Sequence, residues 1–242
     1  VRIVFDRDVD SRLIERALAP AVLGSMWLDP DVVGPRPDYP SLPGATTCDL
    51  LVVGGGYTGL WTALHAAERD PGARVVLIEA ERIGWAASGR NGGFVDASLT
   101  HGSANGKSRW PGEFDQLERL GMANLDGMAA DIENYGMNVD WQRNGMLTVA
   151  TEAHQVPWLQ ESAEAGEGQF LDQAAVRAEV NSPTYLAGLF AADTCAIVDP
   201  ARLVFELARA CASKGVRIHE NTAALDINTT VGGVTVGTAA GP

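Results

Sequence analysis

The chain has 242 residues, of which 46% are hydrophobic and 20% charged. That composition supports one large domain or two small ones and is far from that of a disordered chain. The formal net charge is −13, and an acidic surface repels phosphate backbones and anionic lipid, so neither nucleic acid nor a membrane is an expected partner. Cys48, Cys195 and Cys211 are odd in number and widely spaced, with no C-x-x-C pair. No zinc or other metal site and no disulfide framework are expected, and a reducing compartment is. The first residues, VRIVFDRDVDSR, have no apolar signal core. Residues 50–67 are apolar enough to raise the question of a membrane span, but three consecutive glycines interrupt them. They read as strand, turn and helix, and a cytoplasmic location is expected.

In chain order, residues 1–47 read as an extension. A short amphipathic piece (Leu13, Ile14, Ala17, Leu18) leads into a run with Pro30, Pro35, Pro37, Pro40 and Pro43, which favours an extended surface tether. Trp27 and Tyr39 are its candidate anchors, or a cover over a pocket. Residues 50–53 predict a buried strand and 57–69 a helix that stops at Asp70-Pro71-Gly72. Residues 74–79 (RVVLIE) predict a second buried strand, so the three form a right-handed crossover onto a parallel sheet. Residues 83–106 read as loop with short turns, and 113–135 as helix. Residues 139–151 read as two strands of a hairpin about Asn144-Gly145. Helices are expected over 152–164 and 173–180, and strands within 185–198. A helix over 200–214 has an early Pro200 and a stop at Gly215. Short strands are expected over 216–219, 224–228 and 234–238. There is no internal repeat.

The segment Gly54-Gly55-Gly56-Tyr57-Thr58-Gly59 contains G-x-G-x-x-G between the first strand and the first helix. In that setting Gly54 permits the tight turn, Gly56 leaves room for a pyrophosphate, and Gly59 lets helix and sheet pack closely. Backbone N–H groups at the helix N-terminus then favour an anion. Glu79, twenty residues after Gly59, ends the second strand, where a carboxylate accepts hydrogen bonds from adenosine ribose and repels a 2′-phosphate. The competing reading is a structural turn beside an ordinary surface acid. All four elements in register favour the dinucleotide.

After Glu79 the chain continues Glu81-Arg82-Ile83-Gly84-Trp85-Ala86-Ala87-Ser88-Gly89-Arg90-Asn91-Gly92-Gly93-Phe94. Small residues allow close backbone approach to a long ligand, and Ser88, Arg90 and Asn91 supply donors. This suits FAD better than NAD, whose domain would pass directly into its next helix. Together with VVGGGYTGLWTAL and VDPARLVFELARACASKGVRI, the loop resembles the FAD-dependent amine and amino-acid oxidoreductases over residues 48–240. That family includes D-amino-acid oxidase, glycine oxidase and sarcosine oxidase, and the Ala-Ser-Gly-Arg-Asn-Gly-Gly stretch is most similar to gamma-glutamylputrescine oxidoreductase.

The resemblance implies an α/β fold: an FAD-binding doubly wound domain of the glutathione-reductase type with an inserted α+β substrate domain, incomplete at the C-terminus. The implied division is an extension at 1–47, a partial FAD domain at 48–100 and 190–242, and part of the substrate domain at 101–189. The implied cofactor-binding set is Gly54, Gly56, Tyr57, Thr58, Gly59, Glu79, Ser88, Gly89, Arg90, Asn91, Gly92 and Ala224, the last meeting adenine through its backbone from a strand. The implied reaction is hydride transfer from the carbon beside the nitrogen of a small amine or amino acid, followed by imine hydrolysis.

Family members continue beyond the point at which this sequence ends. A missing later strand, exposed apolar surface and the remaining C-terminal part of the same protein as partner are therefore expected, and these residues alone are expected to be inactive. The alternatives are a non-catalytic dinucleotide-binding fragment or interaction module, and an NAD-dependent dehydrogenase. No catalytic residue stands out. His65, His154 and His219 read as structural or surface residues, and His101 as the end of a turn rather than a neighbour of the flavin ring. Arg109 and Trp110 are candidates for a substrate pocket. Trp141, Trp158, Met122, Met128 and Met137 read as core.

Overall fold

A computed structural model describes residues 10–20 and 24–242. Residues 1–9, where the sequence shows no apolar signal core, lie outside the described residues. The extension begins with α1 (Ser11–Leu18), capped by the Asp10 carboxylate, which accepts from the Arg12 N–H. The helix buries none of its residues, and Leu13, Ile14 and Leu18 stand in solvent. A 3-10 turn (Met26–Leu28) and the single-turn α2 (Pro30–Val33) follow. Trp27 and Tyr39 then pack against the main core, so the extension is anchored by both.

Residues 50–78 form the expected crossover. β1 (Leu50–Val53) leads through the glycine turn into α3 (Tyr57–Arg69) and on to β2 (Val75–Ile78), parallel to β1 in the register Leu50↔Val75 to Val53↔Ile78. Val75 and Leu77 join the core under the helices, while Val76 and Ile78 are buried on the opposite face, as the two-residue repeat of a strand requires. The next loop holds a 3-10 turn (Ala87–Gly89) and β3 (Phe94–Asp96), a strand the sequence left as loop. It is short, and its pairing partner lies a hundred residues on. α4 (Ser103–Arg109) and α5 (Phe114–Asn134) follow.

The hairpin expected about Asn144-Gly145 does not form. Only its second half is a strand, β4 (Met146–Ala150); the first half makes one isolated bridge, Gln142 to Ile197, and contains Asp140 at a φ of 53°. The glycine is needed for another reason. With φ at 79°, a side chain there would press on the carbonyls of Ala191 and Ala192 at 2.5 and 2.7 Å. α6 (Val156–Glu164), β5 (Gln169–Leu171), α7 (Gln173–Glu179) and β6 (Ala187–Ala191) complete this region, in which β6 pairs antiparallel with both β4 and β5. β6 runs two residues past 189.

β7 (Cys195–Ile197) pairs antiparallel with β3. α8 (Pro200–Ser213) packs along α3, and β8 (Arg217–His219) adds to β2 in parallel, giving the sheet order β1-β2-β8. β1 is thus an edge strand, and Leu50 and Val53 are exposed, 36% and 52%. β9 (Asp226–Thr230) and β10 (Gly233–Gly237) form a separate hairpin. Among the described residues no helix is long and apolar enough to cross a membrane.

The main core lies between the parallel sheet and the α3–α8 pair. There the Cys211 thiol donates to the Leu60 carbonyl at 3.2 Å, and burial pushes its pKa up to about 12. Met137 is buried, and Met122, Met128 and Trp141 pack at core margins, as expected. Trp158 does not: it is 58% exposed on α6, with His154 edge-on to its ring. Its place on the helix follows the apolar spacing, but among the described residues that position is left exposed. His65 is a surface residue that stacks on Trp61 and bonds Glu68, and the His219 Nδ1 meets the Pro40 carbonyl at 3.1 Å.

Two stability predictions follow from these contacts. Asp199 caps α8 by accepting from the Ala201 and Arg202 N–H groups, both at 3.0 Å, with Pro200 in the first turn. Asp199→Ala should cost about 1–2 kcal/mol, read as a midpoint drop of roughly 2–4 °C per kcal/mol in thermal unfolding. Glu68 receives the Tyr135 hydroxyl from the end of α5 and bonds His65, and these bonds hold its carboxyl below the ordinary range. A lowered carboxylate stabilises above its unfolded pKa and loses that contribution as pH falls through its folded value. The stability gap between wild type and Tyr135→Phe should therefore be full at neutral pH and close in acid, as urea titrations at a series of pH values would show.

Candidate dinucleotide-binding site

The site begins where β1 stops. Gly54 takes a φ of 109°, which only glycine adopts without strain, and its N–H donates to the Ile78 carbonyl at 2.8 Å. A Cβ on Gly59 would overlap the Gly54 carbonyl oxygen, so the helix sits against the strand end only because both residues are glycine. No side chain of the Gly56 N-cap closes the helix start. A Cβ on Gly56 would lie 2.9 Å from Ser88 Oγ, and that hydroxyl accepts from the Tyr57 N–H at 3.0 Å. Ser88 thus meets the glycine turn directly, joining the two motifs that the sequence placed apart. Thr58 is exposed on the first helical turn.

Glu79 follows β2 at once. Its Oε2 accepts from the Gly55 N–H at 2.6 Å and its Oε1 from the Glu81 N–H at 2.9 Å. This is a role the sequence did not reveal: the carboxylate pins the glycine turn to the chain that leaves the second strand. Each oxygen has a further lone pair for a ligand hydroxyl.

The loop after Glu79 is held from within and from α8. Arg90 Nε donates to the Trp85 carbonyl at 2.6 Å, with the guanidinium over the Trp85 ring. Asn91 Nδ2 donates to Ser88 O at 2.9 Å, and its Oδ1 accepts from the Gly93 N–H at 2.9 Å. The Asn91 amide therefore shapes the loop, and Arg90 spends at least one donor on the same task. Gly89 is buried and Gly92 exposed. Gly84 and Gly93 carry positive φ; a side chain on Gly84 would strike Val204, which is how the loop seats on α8, and one on Gly93 would strike the carbonyl of Val198, just after β7. The Tyr57 hydroxyl donates to the Pro200 carbonyl at 2.9 Å, and burial raises its pKa to about 12.

Other candidates lie elsewhere. Ala224 is not in a strand, as the resemblance implied, but in the irregular segment between β8 and β9, because pairing starts only at Asp226. His101 sits at a φ of 55° in an exposed turn, as expected. Arg109 and Trp110 are exposed at the end of α4. Among the described residues no His, Cys, Asp and Glu cluster of three or more is arranged to hold a metal. Sequence reasoning missed Glu220, which is fully buried and bonds the same loop from its far side. An acid after a short strand carries no signal of that role.

The glycine turn, its locking acid and the small-residue loop against its helix start define the class: an α/β dinucleotide-binding protein. The chain belongs to the FAD dependent oxidoreductase family, whose model matches residues 49–242. The cofactor is accordingly FAD, and the turn, its open helix start and its donors fit that group. The chain is 35% identical over 201 residues to gamma-glutamylputrescine oxidoreductase of Escherichia coli K12, covering 79% of this chain and 46% of that protein. It is 30% identical over 239 residues to the probable oxidoreductase OrdL of Rhizobium meliloti, covering 92% and 53%. It thus spans about half the length of the curated relatives it matches. The fold is similar to that of glycine oxidase from Geobacillus kaustophilus, with a TM-score of 0.67 at 21% identity, over 80% of this chain and 52% of that one.

The contact at Gly59 is directly testable. Gly59→Ala should cost about 1–3 kcal/mol, because backbone must move to admit the methyl group. Gly112→Ala, at a position with open space around it, should change little. Denaturant midpoints of the two variants, with FAD retention measured alongside, give the comparison.

Proposed function

We propose that this chain is the FAD-binding part of an enzyme that oxidises a C–N bond of a small amine or amino acid. The observation that carries this reading is the junction of the glycine turn, Glu79 and Ser88 in one bonded unit. In this reading residues 48–100 and 190–242 belong to a doubly wound FAD domain, and 101–189 contribute an inserted substrate domain. The antiparallel sheet β4-β6-β5 is compatible with the latter.

Gly54, Gly56 and Gly59 bring backbone close to the pyrophosphate, with the Thr58 N–H in the first turn of α3 facing it while the Tyr57 N–H is held by Ser88. Ser88 accepts from Tyr57 and keeps its own hydroxyl proton to donate. The spare lone pairs of Glu79 receive the ribose hydroxyls. Gly89, Arg90, Asn91 and Gly92 keep the loop backbone near the flavin side, and Ala224 offers backbone to adenine. When bound, FAD supplies the hydride acceptor; the protein orients the substrate and excludes water. The imine released then hydrolyses in solution. The names of the relatives support an amine or amino acid as the substrate class, and the remaining C-terminal part of the protein is the expected partner of this chain.

The full-length protein should purify with a flavin spectrum that bleaches anaerobically on addition of its amine. A protein that takes up NAD in preference to FAD, or binds FAD but is reduced by no amine, would refute the proposal. Glu79→Ala should weaken FAD binding by roughly ten- to a hundredfold, about 1.5–3 kcal/mol for a charge-assisted contact. Flavin retained after dialysis, compared with wild type, is the measurement. Because Glu79 also holds the Gly55 N–H, apoprotein stability must be read in parallel.

A further inference from the structure

Ile83 is fully buried under the glycine turn, so close that a Cβ on Gly55 would overlap its Cδ1. The next residue is tied to the same turn: the Gly84 N–H donates to the Gly55 carbonyl at 3.1 Å. Whatever fixes Ile83 therefore fixes the phosphate-binding backbone. Both peptide groups of Ile83 are held by side chains from distant segments. Its N–H donates to Glu220 Oε1 at 2.6 Å, and its carbonyl accepts from Arg36 Nη2 at 2.8 Å.

Glu220 directly follows β8 and is 0% exposed. Its Oε2 accepts from the Tyr39 N–H at 3.3 Å, and the Arg36 and Arg82 guanidinium groups each stand 3.5 Å from the carboxylate. Arg82 is tied back to the extension by Asp38 at 2.7 Å. The two residues after Glu220 close on the same loop. The Asn221 N–H donates to Glu81 O at 2.7 Å and the Thr222 N–H to Glu79 O at 2.8 Å, while Thr222 Oγ1 accepts from the Leu42 N–H at 3.0 Å.

A buried carboxylate is costly unless paired and fully bonded, and an apolar side chain of similar volume stabilises a core as well or better. What the charged network adds is direction. It sets the angle of a turn whose own side chains are few and small. We propose that Glu220 and Arg36 are positioning residues for FAD: the extension at residues 36–42 and the end of β8 clamp the 79–84 loop, and through Ile83 and Gly84 they hold the glycine turn in its binding geometry. This rests on the FAD reading above. It makes the extension a working part of the cofactor site rather than a tether.

The experiment uses the full-length protein, stripped of flavin and titrated with FAD by fluorescence quenching, for wild type, Glu220→Gln and Arg36→Met. Arg209→Met serves as control, since Arg209 bonds Glu206 and the Tyr135 carbonyl away from the loop. Both test variants should raise the FAD Kd about tenfold. Visible circular dichroism of the bound flavin should change as well, at unaltered apoprotein far-ultraviolet spectra. The control should leave Kd and the flavin signal at wild-type values whatever its stability. A Kd unchanged in both variants, or raised only as far as the unfolded fraction of apoprotein explains, overturns the proposal while leaving FAD binding intact. Wild-type protein that takes up no FAD overturns the cofactor reading itself, and the proposal with it. Should Glu220→Gln fail to fold, Arg36→Met, a change in the partly exposed extension, decides alone.

Discussion

Helix α3 starts so near the end of β1 that position 59 has no room for a side chain beside the Gly54 carbonyl. The rest of the nucleotide end is built outward from that approach. It seats the buried stripe Leu60, Ala63, Leu64 and Ala67 at the depth where α8 meets it. It carries the Tyr57 ring to the first residue of α8, so the two helix starts share a hydrogen bond. α8 in turn receives the loop after Glu79 through another glycine, at 84, while Gly93 lies against the Val198 carbonyl just before that helix. A chain of close backbone contacts, each permitted by a missing Cβ, thus links strand, helix and loop.

Glycine permits these positions but does not choose among them, and that selection falls to carboxylates. Glu79 takes N–H groups from Gly55 and Glu81 on one side of the loop, and Glu220 takes those of Ile83 and Tyr39 on the other. Ionised acceptors make shorter and stronger bonds than neutral ones, and a flexible peptide segment gains a fixed orientation from them. In a chain with a net charge of −13, two of the acids are thus committed to organising backbone.

The strand–turn–helix–strand unit was legible because its signals are local: apolar runs, a glycine turn and a Pro-Gly stop within thirty residues. The long helices α5 and α8 were legible for the same reason. Features that depend on remote partners were not. β3 has three residues and pairs with β7. Asn144-Gly145 carried the local mark of a hairpin, but its glycine serves the crossing of β6. Trp158 has core chemistry but stands largely in solvent, with the His154 ring beside it. Around the glycine turn, the tight turn at Gly54 and the close helix packing at Gly59 were identifiable from spacing, whereas the bonds of Glu79 to Gly55 and Glu81 were not. The bond between Ser88 and Tyr57 was not, nor was the burial of Glu220, whose partners lie 137 and 181 residues away in sequence.

Cys211 shows a different side of the α3–α8 pairing. Its thiol is fully buried, bonded to the backbone of the opposite helix, and held protonated by burial. Thiolate, not thiol, reacts with alkylating reagents, so this sulfur is silent while the helices stay together. Cys48 is only half-buried, and Cys195, also buried, lies in β7 rather than between these helices. The rate at which reagent reaches Cys211 is therefore a clock for the parting of α3 from α8, an intrinsic reporter of breathing between these two helices that requires no engineered label.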